Sequence, residues 1–253
     1  MASAFLYGSL GGLIAAGATT VGASIGLIRN PQTKAFTQKI SLDFALGMML
    51  SASAFSLLLP AGQAAFARGA SSLFWVAVAL ALGAAFIFFI GRLISFSTNT
   101  VQARGVLFII AMMLHNFPEG LASGAALGGL SIHGLGEAHG WSILGAIAIQ
   151  NFPEGFATLL AFRALGMSMK VAFLGAFASA VVELVGGSTG GLMLQLTNGI
   201  LPYLLAFAGG AMLFVSVREA IARFKEQVAS ARDLVIGTLA MTSMTIALAG
   251  LFN

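Results

Sequence analysis

Eight apolar runs of about 20 residues each limit the folds open to this chain. A helix needs about 20 residues to cross the hydrocarbon core of a bilayer, whereas a membrane barrel shows alternating segments of about 10 residues. The sequence therefore predicts an all-α, polytopic membrane protein with eight transmembrane helices. The expected spans are 4–28, 41–60, 72–91, 106–130, 141–162, 171–196, 201–217 and 234–252, with the second stopping at Pro60.

The composition excludes several classes of protein. Only 8% of the residues are charged and 58% are hydrophobic, whereas a soluble domain is about 25% charged. A disordered chain, a nucleic-acid-binding domain and an ordinary soluble enzyme are therefore excluded. Because the chain has no cysteine, it has no disulfide, thiolate metal site or cysteine nucleophile. Its 32 glycines favour close helix packing and permit a homodimer.

The basic residues predict the orientation. Eleven of the 12 lysines and arginines lie in the odd-numbered loops or at the span ends beside them, and Arg68 alone lies on the other side. By the positive-inside rule the odd-numbered loops are cytoplasmic and both termini lie outside. We expect a plasma (bacterial inner) membrane protein without a nucleic-acid partner. The first run should be a retained helix, since no basic residue precedes it, and the charges of 218–226 should form a solvated helix end.

Three carboxylates lie deep inside apolar runs, namely Glu119, Glu154 and Glu183. Each costs about 2.5–3.5 kcal/mol at the centre of a membrane on insertion scales. No lysine or arginine lies at a matching depth. A proton, a bound cation or a water-filled cavity must therefore compensate them.

Two of these glutamates belong to a repeated hexapeptide. The fourth span contains H-N-F-P-E-G at 115–120 and the fifth contains Q-N-F-P-E-G at 150–155, identical at five of six positions. On a helix, His115 and Glu119 share a face, as do Gln150 and Glu154. Imidazole, carboxylate and amide groups at one depth suit a divalent cation such as Zn²⁺. Three spans precede the pair and three follow, the 3+2+3 layout of an inverted-repeat transporter with a midplane site.

The paired motifs resemble those of the ZIP (Zrt-/Irt-like) family of divalent metal transporters, in its GufA-like branch. The similarity extends to A-L-G-M-M-L-S-A-S-A-F-S-L-L-L-P at 45–60, S-A-V-V-E at 179–183 and L-A-F-A-G-G-A-M-L-F-V at 205–215. It implies that residues 1–253 form a single transporter domain that moves zinc toward the cytoplasm. It also implies an elevator motion, in which helices 1, 4, 5 and 6 slide as a transport unit against a scaffold of helices 2, 3, 7 and 8.

The resemblance also implies a binuclear site. The first metal ion would be held by His115, Gln150, Glu154 and Met49, and the second by Asn116, Glu119, Asn151, Glu154 and Glu183. Gln150 stands where many members have histidine, which makes the first site harder and less zinc-selective. Asn151 stands where some members have aspartate, so we expect the second site to bind more weakly.

Other interpretations stay open at this point. Cd²⁺, Mn²⁺, Fe²⁺ and Co²⁺ are alternative substrates, and no organic cofactor is expected. The chain could instead be an intramembrane metalloenzyme or a carboxylate-lined cation channel. Against an enzyme, it has one histidine inside a span and no H-E-x-x-H motif. His133 and His139, in the loop after the fourth span, form either an entrance metal trap or a solvated loop.

Overall fold

The chain forms a bundle of eight helices. The computed structural model describes residues 3–27, 42–95, 101–132, 137–164, 166–197, 199–227 and 229–252, with the backbone alone at some positions, among them most of 101–115 and all of 137–139. The helices are α1 (Ala4–Ile25), α2 (Leu42–Ala52, Ser53–Leu58 and Leu59–Phe66), α3 (Ala70–Ser95), α4 (Val101–Gly128), α5 (Glu137–Ala164), α6 (Met169–Leu196), α7 (Leu201–Lys225) and α8 (Ala231–Phe252). No strand occurs in these ranges.

These helices confirm the prediction of an all-α, polytopic membrane protein. Seven of them are long and apolar enough to cross a bilayer, and the eighth, α4, has 28 residues. The bundle is layered. In the most apolar stretch of each helix, 72% of the residues are buried in α5, but only 17% in α3 and 11% in α8. The helix that carries the second hexapeptide is therefore enclosed by protein, while α3 and α8 offer their side chains to lipid.

The predicted stop at Pro60 is wrong, since α2 continues to Phe66. Proline lacks an N–H group and its ring collides with the carbonyl four residues earlier in a regular helix. Here a π-helical segment, Ser53–Leu58, comes directly before the proline, and the N–H of Leu59 bonds to the carbonyl of Ala54. The wider turn places Pro60 in the first turn of a new α-helical segment, where its missing N–H is tolerated. Such π segments often accompany functional positions in helices.

The helices pair as an internal two-fold would pair them. Helix α1 packs on α5, and its counterpart α6 packs on α4. In the same way, α3 packs on α7 and α8 packs on α2. Helix α4 also packs on α7, and α5 packs on α2. Exchanging α1 with α6, α2 with α7, α3 with α8 and α4 with α5 turns each pair into its counterpart. This pairing agrees with the predicted 3+2+3 inverted repeat.

Glycine contacts divide the helices into two groups. We call α1, α4, α5 and α6 the motif group, and α2, α3, α7 and α8 the flanking group. At several glycines, an added Cβ would fall within 3.0 Å of the backbone of another helix, so the two backbones are in close contact. At every such glycine among the described residues, the two helices belong to the same group. Examples are Gly22 on Phe152 in the motif group and Gly83 on Phe207 in the flanking group. The two groups meet through an apolar cluster that includes Leu57, Ala61, Leu121, Ala125, Ile147, Leu205 and Met212.

A buried ion pair ties the flanking group together at one end of the bundle. The Nε and Nη2 atoms of Arg223 donate to the two carboxylate oxygens of Asp43 at 2.7 and 3.1 Å. The backbone N–H of Ser230 donates to the same carboxylate at 2.8 Å. The side chain of Asp43 is only 3% exposed and that of Arg223 is 19% exposed. The expectation of a solvated end at 218–226 is therefore wrong for Arg223, whose partner lies 180 residues away.

We expect Asp43→Asn to destabilise the fold by about 2–3 kcal/mol, because it removes the buried carboxylate that accepts two hydrogen bonds from the partly buried guanidinium of Arg223. Thermal unfolding of the purified protein in detergent should then occur several degrees lower. The control is Arg232→Gln, at an exposed position of the same end. Equal unfolding temperatures for the two variants would mean that the ion pair does not hold this end together.

Candidate metal site

The two hexapeptides lie in the interior of the bundle, on α4 and α5. Both helices continue through their prolines, Pro118 and Pro153, each of which removes one hydrogen bond of the helix backbone. Five described polar side chains of the motifs, and one glutamate of α6, are no more than 4% exposed. They are Asn116, Glu119, Gln150, Asn151, Glu154 and Glu183. The structure thus places six of the eight predicted site residues in one buried region.

Glu183 of α6 is the centre of a hydrogen-bond network. Its Oε1 atom accepts from Nδ2 of Asn116 at 2.7 Å, and its Oε2 atom accepts from Nδ2 of Asn151 at 2.8 Å. The equivalent asparagines of the two hexapeptides thus hold one carboxylate from both sides. A third donor, the hydroxyl of Thr19 on α1, reaches Oε1 at 2.6 Å.

Glu119 and Glu154 form a second part of the region. Nε2 of Gln150 donates to Oε1 of Glu119 at 3.0 Å, and the carboxyl group of Glu154 neighbours that of Glu119. Among the described residues, no amide or hydroxyl group donates to either oxygen of Glu154, which lies within hydrogen-bonding reach of the Glu119 carboxyl group. Two adjacent buried carboxyl groups are unfavourable unless a proton or a cation lies between them.

Each of the three amides donates an N–H to a carboxylate, while its oxygen accepts no hydrogen bond from the described residues. The carbonyl oxygens Oδ1 of Asn116, Oδ1 of Asn151 and Oε1 of Gln150 are buried and lack a donor among the described residues. A buried acceptor without a partner costs about 1–3 kcal/mol. With the two oxygens of Glu154, five such acceptors lie in one buried region, and a divalent cation would satisfy them.

The candidate ligands in this region include three amide side chains. Among the described side chains, no group of three His, Cys, Asp or Glu residues has the arrangement of a metal site. A metal ion bound in this region would take much of its coordination from amide oxygens and Glu154. Oxygen ligands of this kind suit hard or borderline cations better than soft ones.

Two of the predicted ligands lie outside this network or outside the described side chains. The side chain of His115 is not among those described, although its backbone lies in α4. The residues His133 and His139 likewise fall outside the described side chains. Met49 is buried in α2, a helix that contacts α5. Its neighbour Met48 packs in an apolar cluster with Ala52, Ala146 and Met241, so Met49 is the better candidate of the two.

Sequence reasoning missed Thr19, a residue of the first apolar run that is only 1% exposed. It also missed the role of the glycine that ends each hexapeptide. A Cβ on Gly120 would lie 2.1 Å from the carbonyl oxygen of Glu183, and one on Gly155 would lie 1.9 Å from that of Thr19. The glycines therefore let α6 and α1 approach the two motifs closely enough to complete the site.

Comparison with known proteins identifies the family. A sequence model described as ZIP zinc transporter matches residues 94–249. The zinc transporter ZIPB of Bordetella bronchiseptica is 37% identical over 232 residues, which cover 85% of this chain and 72% of that protein. The zinc transporter GufA of Myxococcus xanthus is 45% identical over 123 residues, 49% of this chain and 46% of GufA.

The human zinc transporter ZIP11 is 41% identical over 119 residues, 47% of this chain and 35% of ZIP11. The chain thus spans about half the length of GufA and about a third of ZIP11. The family match and the ZIPB alignment each cover most of this chain. We conclude that this multi-pass membrane protein belongs to the ZIP zinc transporter family.

Proposed function

We propose that the protein transports divalent metal ions across the membrane, with zinc moving toward the cytoplasm. The observation that carries this proposal is a set of five buried acceptor oxygens on Asn116, Gln150, Asn151 and Glu154, to which no amide or hydroxyl group of the described residues donates. A protein interior retains unpaired acceptors at such a cost when a ligand satisfies them in the working state. The relatives are named as zinc transporters, which makes zinc the first substrate to test.

We place two metal ions in this region, bridged by Glu154. The first would be held by His115, Gln150, Glu154 and Met49, and the second by Asn116, Glu119, Asn151, Glu154 and Glu183. The second site should bind more weakly, because Asn151 adds no charge and three carboxylates face two divalent ions. Cd²⁺, Mn²⁺, Fe²⁺ and Co²⁺ are competing substrates, since a glutamine oxygen favours zinc less than an imidazole does.

An elevator motion fits the division of the helices. Inside each group, glycines bring helix backbones into direct contact, which makes each group rigid. Hydrogen bonds such as Ser9–Ser188 in the motif group and Ser51–Thr242 in the flanking group add to this rigidity. The boundary between the groups is an apolar cluster, whose side chains have no directional partners to break when one group slides. The motif group would carry the ions as the transport unit.

The outer approach to the site would run between α2, α5 and α8. A cleft of about 290 Å³ opens there, lined in part by Ser56, Gln63, Ser142 and Thr245. With the odd-numbered loops in the cytoplasm and both termini outside, this cleft faces outward. Ser142 precedes Gln150 by eight residues on α5, a rise of about 12 Å. Hydroxyl and amide oxygens along this distance would replace part of the ion's hydration shell.

Radioactive zinc uptake into proteoliposomes tests the function. We expect uptake by the unaltered protein to saturate with zinc concentration, because each transport cycle carries a fixed number of ions. His115→Ala should lower uptake strongly, since it removes the only imidazole proposed as a ligand. Uptake that rises linearly with zinc and carries current would favour the cation channel. Zinc-dependent cleavage of a lipid or peptide without uptake would favour the metalloenzyme.

A further inference from the structure

Thr19 of α1 lies at the back of the proposed metal site. Its hydroxyl donates to Oε1 of Glu183 at 2.6 Å, and a second acceptor, the carbonyl of Ala15, lies at 3.4 Å. A hydroxyl carries one proton, so the much shorter contact to Glu183 takes it. The side chain is 1% exposed, and so water does not compete for this bond.

The internal two-fold makes Thr19 the counterpart of Glu183. A Cβ on Gly120 would meet the carbonyl of Glu183, and a Cβ on Gly155, its equivalent in the other hexapeptide, would meet the carbonyl of Thr19. Three residues after Glu183, a Cβ on Gly186 of α6 would lie 2.4 Å from the carbonyl oxygen of Phe117.

The equivalent glycine of α1 makes the corresponding contact with α5. A Cβ on Gly22 of α1 would lie 1.9 Å from the carbonyl oxygen of Phe152, and Phe117 and Phe152 are equivalent residues of the two hexapeptides. Residues 15–24 and 179–188 are therefore equivalent segments.

The amino-acid sequences of the two segments are also similar. A-A-G-A-T-T-V-G-A-S at 15–24 and S-A-V-V-E-L-V-G-G-S at 179–188 agree at four of ten positions. Both segments also contain the same local hydrogen bond. Ser24 donates to the carbonyl of Thr20 at 2.8 Å, and Ser188 donates to that of Leu184 at 2.9 Å. The fold thus builds two equivalent positions behind the motifs, one filled by a carboxylate and the other by a hydroxyl.

We infer that Thr19 is a positioning residue of the metal site, which fixes the carboxylate of Glu183 for the second, weaker metal ion. Of the three side chains that donate to Glu183 in the described structure, Asn116 and Asn151 are themselves proposed ligands. Thr19 is not, so its bond orients the carboxylate whether or not the amides engage a metal ion. This inference rests on the proposed function, because it assigns Thr19 a role in that same site.

A zinc titration of the purified protein in detergent, followed by calorimetry, tests the inference. Thr19→Val removes the hydroxyl at nearly constant volume and should weaken the weaker zinc site about tenfold, the low end of the effect of supporting residues around metals. Thr19→Ser keeps the donor and should stay within about twofold of the unaltered protein.

Thr20→Val is the matched control, since Thr20 bonds to the backbone carbonyl of Ala16 at 2.7 Å. It should leave both zinc affinities unchanged.

A double-mutant cycle separates positioning from general packing. If Thr19 acts through Glu183, Thr19→Val should add little to the loss caused by Glu183→Gln. Fully additive losses, or equal losses in Thr19→Val and Thr19→Ser, would overturn the inference and indicate a packing role. Identical affinities in Thr19→Val and Thr20→Val would overturn it as well. In each of these cases zinc still binds to the unaltered protein, and the proposed function stands. No zinc binding by the unaltered protein would overturn both.

Discussion

Glu154→Gln is expected to lower zinc uptake into proteoliposomes about a hundredfold or more, the largest loss from any single replacement in the site. Removing a residue that merely supports a metal ligand costs about 10–100-fold, and Glu154 is the proposed ligand shared by both ions. Both of its oxygens are buried, and no amide or hydroxyl group of the described residues donates to them. Glutamine keeps the size of the side chain but removes one acceptor and the negative charge.

The control for Glu154→Gln is the same replacement at Glu226, which is exposed at the end of α7. Glu226→Gln should transport zinc like the unaltered protein. Both variants should elute as single species from a sizing column, because the glutamine at 154 fits the same space. Near-normal uptake by Glu154→Gln would remove the bridging role and the proposed path through the motifs.

Gly155→Ala should cost about 3 kcal/mol or more of stability, because its Cβ would lie 1.9 Å from the carbonyl oxygen of Thr19. A backbone carbonyl in a packed helix has little freedom to move, so the cost lies at or beyond the top of the usual range for overpacking. Thermal unfolding in detergent should report the loss. Gly22→Ala, whose Cβ would lie 1.9 Å from the carbonyl oxygen of Phe152, should behave alike, because it separates the same two helices.

The matched control is Gly17→Ala, on α1, where no described residue of another helix lies within 4 Å of the Cβ position. Alanine is favoured over glycine in a helix by about 0.8–1 kcal/mol, so this variant should be as stable as the unaltered protein or slightly more stable. If Gly155→Ala unfolded at the same temperature as Gly17→Ala, the close contact between α1 and α5 would be wrong.

The fold could be predicted largely from the sequence, because hydrocarbon thickness sets the length of a helix. Pro60 shows where this reasoning stops. Its missing N–H predicts a helix end, but the π-helical turn before it depends on the packing of α2 against its neighbours. The pairing of Asp43 with Arg223 was equally hidden. Each looks like an ordinary charge at a helix end, and only the fold brings them together.

The residues of the candidate site could be predicted from the buried charges and from the repeated hexapeptide. Glu119 and Glu154 are conspicuous in an apolar span, and a repeated hexapeptide marks both as one feature. Thr19 gives no such signal, since a small hydroxyl residue is common in membrane helices and bonds readily to its own backbone. The likeness of 15–24 to 179–188 is too weak to notice until the packing of Gly120 and Gly155 aligns the two segments.

The position of bound zinc tests the central claim most directly. Anomalous X-ray scattering at the zinc absorption edge, from crystals of the unaltered protein grown with zinc, locates the ion without reference to the protein atoms. A peak within coordination distance of the Glu154 carboxylate, about 2.0–2.2 Å for zinc and oxygen, is the predicted result. Zinc confined to the loop of His133 and His139 or to the lipid-facing surface, with none between α4, α5 and α6, would contradict it.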